Sequence, residues 1–104
     1  MTPAGVGRMR KNRQELIRIF ACALADDNHL RSLEFIENSL NSLRIRCDLF
    51  NKHSDDVHLA MGRGRSLIRT KYGFSGRAQE SDRYGEFEYG AEEVADWVLE
   101  RDVE

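Results

Sequence analysis

From Asn12 onward the chain repeats apolar residues at helical spacing: Leu16, Ile17, Phe20, Ala23 and Leu24 fall three and four apart and form one stripe. Asp26, Asp27 and Asn28 interrupt it. Residues of this kind cap helix N-termini, so a second helix is predicted to start near His29. Leu30, Leu33, Ile36 and Leu40 continue with the same period. The pattern predicts an αα-hairpin over residues 12–41. Before it, residues 1–10 hold the only proline of the chain and read as a flexible leader.

Beyond Leu40 two periods compete. Leu33, Ile36, Leu40, Leu43, Cys47 and Phe50 keep heptad spacing, which would prolong the second helix to about residue 51. Over residues 43–49, however, apolar and charged residues alternate strictly, the mark of a strand with one buried face. Alternation returns at Val57, Leu59 and Met61, and again at Ile68, Thr70, Tyr72 and Phe74. Turn-forming residues stand between these runs at 51–56 and at Gly62, Arg63, Gly64 and Arg65, and residues 84–89 offer a fourth short strand. A helix through this region would have to hold Gly62 and Gly64 in its interior at about 1 kcal/mol each, which favours turns there.

A final helix is predicted over residues 91–102, with Val94, Trp97 and Val98 on one face and Glu92 and Glu93 in the first turn, where the helix dipole favours them. A helix of that length is marginal alone and must dock Trp97. The expected fold is α+β: an N-terminal αα-hairpin, an antiparallel sheet of three or four short strands, and a C-terminal helix. The alternative is an all-α bundle with a long heptad helix over residues 29–51.

Composition adds limits. With 104 residues, 40% hydrophobic and 33% charged, the chain fits one small domain over residues 11–104. A mean hydropathy of -0.61 and the lack of a long apolar run exclude a membrane span and suggest a cytoplasmic protein. Cys22 and Cys47 lie inside apolar patterns and read as two buried, reduced thiols.

The net charge of -2 conceals a division. Residues 1–77 hold 14 Lys and Arg against 8 Asp and Glu, whereas residues 78–104 hold 2 against 10, so +6 is followed by -8. The acidic C-terminal segment, residues 79–104, is therefore a distinct feature. If strands form, Arg44, Arg46, Arg69 and Lys71 share one outer sheet face beside Arg63 and Arg65 in a turn, a surface for phosphate backbone or an acidic partner. The opposing candidate, for a basic partner, comprises Glu86, Phe87, Glu88, Tyr89, Glu92, Glu93, Asp96 and Trp97.

Other chemistry is thin. Cys47, His53 and His58, with Asp55 and Asp56, bring metal-binding groups close in sequence, but without the paired knuckles of zinc sites. A polar turn is the better reading, and no metal ligand, cofactor or catalytic residue is assigned. No nucleophile elbow, P-loop or paired-carboxylate pattern accompanies them, so no enzyme is expected. The favoured function is a small interaction protein, an adaptor, regulator or inhibitor. Its acidic segment would neutralise a basic groove or mimic nucleic acid, in the manner of phage- or plasmid-encoded inhibitors. The alternative is a regulator that binds nucleic acid directly through the arginine face and the basic leader (Arg8, Arg10, Lys11, Arg13). A homodimer through Leu33, Ile36, Leu40 and Leu43 is a further option.

Overall fold

A computed structural model describes residues 12–26, 28–43, 54–73 and 84–102, and every element in it is a helix. They are α1 (Arg13–Leu24), α2 (His29–Ser42), α3 (Ser54–Tyr72) and α4 (Tyr84–Asp102). The fold is an all-helical bundle, and the α+β expectation is overturned. The predicted strands at Val57–Met61 and 84–89 are helical, as is the third from Ile68 to Tyr72, its last residue Phe74 lying outside the described residues; Gly62–Arg65 is the middle of α3 rather than a turn. The proposed strand over 43–49 and the heptad extension toward residue 51 fall, past Leu43, outside the described residues. The hairpin stands where the apolar period puts it, and the C-terminal helix begins seven residues earlier than its apolar face indicated.

Helix α1 is the centre. Leu16, Ile17, Ile19, Phe20, Ala21, Ala23 and Leu24 are all buried, nearly all round the helix, as expected of one with neighbours on several sides. It packs against α4, α2 and α3; α4 packs against α1 and α3, while α2 rests chiefly on α1. Burial of side chains such as Phe20, Leu16, Ile36 and Met61 contributes roughly 1.5–3 kcal/mol each relative to exposure.

The turn between α1 and α2 is held by polar groups. Asn28 caps α2, its side-chain oxygen accepting from the Arg31 amide at 3.0 Å. The Asp26 carboxylate accepts from the Asn28 amide at 2.9 Å and takes the Arg31 guanidinium in a fork at 2.7 and 2.8 Å. Ser32, fully buried, has its hydroxyl 2.9 Å from the Asn28 carbonyl and 3.0 Å from the Ala23 carbonyl, donating to one at a time. It joins the last turn of α1 to the first turn of α2.

Helices α3 and α4 meet at two glycines. A Cβ built on Gly90 would lie 2.7 Å from the Gly64 carbonyl oxygen and 2.6 Å from Ile68 Cδ1. A Cβ on Gly64 would lie 3.1 Å from the Gly90 carbonyl oxygen and 3.0 Å from Val94 Cγ2. Around the crossing, Val57, Ala60, Met61 and Ile68 of α3 are buried with Phe87, Ala91, Val94, Ala95 and Val98 of α4. Gly62 differs: it is exposed and nothing lies within 4 Å of a Cβ there. Helix α3 ends at Gly73, which takes φ +62° and donates its amide to the Arg69 carbonyl at 2.9 Å, a left-handed helix stop.

Two outcomes follow from this packing. Gly62→Ala gains helix propensity without a clash and raises stability by about 1 kcal/mol. Gly90→Ala forces backbone against backbone and lowers it by roughly 1–3 kcal/mol; urea denaturation of both variants measures the opposite signs. The second outcome concerns pH. The Arg31 fork, and then the Asn28 amide, hold the Asp26 carboxyl down at about 2 from an ordinary 3.8. A carboxyl depressed in the folded state stabilises it above the unfolded value and loses that contribution as pH falls toward the folded value. The stability gap between the wild-type chain and Asp26→Asn therefore closes between about pH 4 and pH 2, read from urea midpoints at each pH.

Candidate functional site

The acidic segment is divided by α4 into an inner and an outer face. Phe87 is buried, and Trp97 is half-buried against the core with the Arg101 guanidinium 4.2 Å above its ring centroid. Tyr89 is half-buried, meets Tyr72 edge-on with ring centroids 5.8 Å apart, and carries the Lys71 ammonium 4.2 Å from its ring centroid. The three aromatic residues assigned to a partner face are thus engaged within the bundle. Glu86 and Glu88 are half-buried as well, and Glu86 Oε2 is enclosed with no hydrogen-bond partner among the described residues.

The outer face keeps Glu92, Glu93 and Asp96 exposed, and Glu100 joins them. These four recur at one-, three- and four-residue steps along one side of α4, over about 12 Å of helix. Glu100 was missed by sequence reasoning, although its place four residues after Asp96 follows from the helix period. Two guanidinium groups already sit on this row: Arg101 Nη1 lies 4.0 Å from Glu100 Oε2, and Arg13 holds Asp96. Arg13, at the start of α1, donates from Nε to Asp96 Oδ1 at 2.9 Å and from Nη2 to Oδ2 at 3.2 Å. That bond, and the nearby charges of Asp96 and Glu92, hold the Arg13 guanidinium above its ordinary value against partial desolvation.

The basic set does not converge. Arg63, Arg65, Arg69 and Lys71 all lie on α3, where residues advance 100° per step. Arg69 and Lys71, placed side by side by strand alternation, are thereby turned about 200° apart. Arg65 and Arg69 share a side, Arg63 is about 120° away from Arg69, and Lys71 bends over Tyr89. Arg65 is half-buried and its charge reaches Asp26. Arg44 and Arg46 lie outside the described residues. The order of charge along α3 has a local cause: Asp55 and Asp56 occupy its first turn and Arg69 and Lys71 its last, which suits the helix dipole.

Other sequence candidates resolve as follows. Cys22 is a free thiol and is exposed, in contrast to the expected buried one, because it falls on the outward stripe of α1 with Gln14 and Arg18; Cys47 lies outside the described residues. Close to Cys22, burial and then the Glu88 carboxylate push the Tyr84 phenol up from its ordinary value. His58 is exposed on α3, His53 lies outside the described residues, and no three His, Cys, Asp or Glu side chains gather as metal ligands among the described residues. Ile36 and Leu40 are buried in the chain's own core and Leu33 is half-buried there, so of the proposed dimer seam only Leu43 is exposed. An open groove runs beside α2, lined by Ile19, Phe35 and Leu43 with Arg31, Glu34 and Asn38 among its polar groups. No helix among the described residues is long and apolar enough to cross a membrane.

Because Arg13 and Asp96 are both substantially exposed, at 41% and 57% of their side-chain surface, their pair is a weak contributor. A double-mutant cycle on Arg13→Ala and Asp96→Ala is expected to return a coupling of about 0.2–1 kcal/mol, with both single variants folded by circular dichroism. No protein-family model matches this chain, and neither curated proteins nor solved structures contain a match to it.

Proposed function

We propose that this chain is a small non-enzymatic interaction protein that binds a basic protein surface through the outer face of α4. The observation that carries the reading is the row of exposed carboxylates Glu92, Glu93, Asp96 and Glu100 on a helix whose other face, with Phe87, Ala91, Val94, Ala95 and Val98, is buried in the bundle. A rigid helix presents these charges at fixed spacing, and complementary charge across an interface sets partner choice and association rate. The Arg13 fork on Asp96 supports it further, since it is the pairing that a partner's arginine would make. The contact is proposed to be cytoplasmic, in keeping with a charged chain whose two cysteines lack paired spacing. A partner that itself handles nucleic acid fits the same chemistry, because its groove is built to receive a row of negative charge. The alternative of direct nucleic-acid binding has less support, as the cations of α3 point to different sides.

The test is affinity capture from the native host, with protein and nucleic acid both identified. A triple variant, Glu92→Lys, Glu93→Lys and Glu100→Lys, alters only exposed positions and keeps the fold. It is expected to lose a basic protein that the wild-type chain retains, and that capture should weaken steeply with salt. Arg63→Glu with Arg69→Glu should leave it intact. Recovery of nucleic acid that disappears with the Arg63 and Arg69 reversals, or a partner indifferent to the triple variant, overturns the reading. Deleting residues 79–104 does not serve as the test: it removes α4, and with it Phe87, Ala91, Val94, Ala95 and Val98 from the core.

A further inference from the structure

We draw no further inference here: the strongest candidate, the open groove between α1 and α2 lined by Ile19, Phe35 and Leu43, is an apolar face for which nothing in the structure shows what covers it.

Discussion

The close approach of α3 and α4 at Gly64 and Gly90 is the constraint on which the rest of the bundle depends. Each glycine costs its helix about 1 kcal/mol against alanine. In return the two backbones come close, with Val94 and Ile68 packed against the glycines. Leu24 of α1 reaches the same point, 3.4 Å from where a Gly64 Cβ would stand. Three helices are thus brought into register at one place, and a larger residue there would part them all. The crossing also fixes how α4 is rotated, and so which of its residues face outward.

That constraint explains where the sequence was legible and where it was not. The hairpin was readable because its core positions are large: Leu16, Ile17, Phe20, Leu24, Ile36 and Leu40 announce the helical period unaided. In α3 the core series is Val57, Ala60, Met61, Gly64 and Ile68, which steps by three and four as regularly as any in the chain. Two of its five members are alanine and glycine, which carry little weight in a hydrophobicity reading. The competing alternation of Val57, Leu59 and Met61 drew on Leu59, which is 66% exposed. The same holds for α4, where Gly90, Ala91 and Ala95 belong to the buried face. Glycine argues against helix at two positions: at Gly62 it does cost propensity with nothing gained, whereas at Gly64 it is what the packing requires.

The fate of the candidate faces follows from the change of period. Strand alternation separates neighbours by half a turn and collects every second residue; a helix spreads the same residues round its axis. The arginine face was a product of the former and disperses in the latter. The acidic face survives in part because it was drawn over two turns of a helix that does form, so Glu92, Glu93 and Asp96 remain together. Its aromatic members were legible as anchors, but not as anchors for which partner. Phe87 and Trp97 serve the chain's own core, and Tyr89 holds the end of α3 by its contact with Tyr72 and Lys71.

The central place of α4 in the core bears on how the molecule is made. Helix α1 is complete by Leu24, yet the helix that covers much of its apolar surface begins only at Tyr84, sixty residues later. At ribosomal rates of about 5–20 residues per second, α1 waits roughly 3–12 s for that cover. In the interval α2, tied on by Ser32 and the Asp26–Arg31 fork, is its nearest shelter. The open apolar side of α1 is closed only when α4 docks on it.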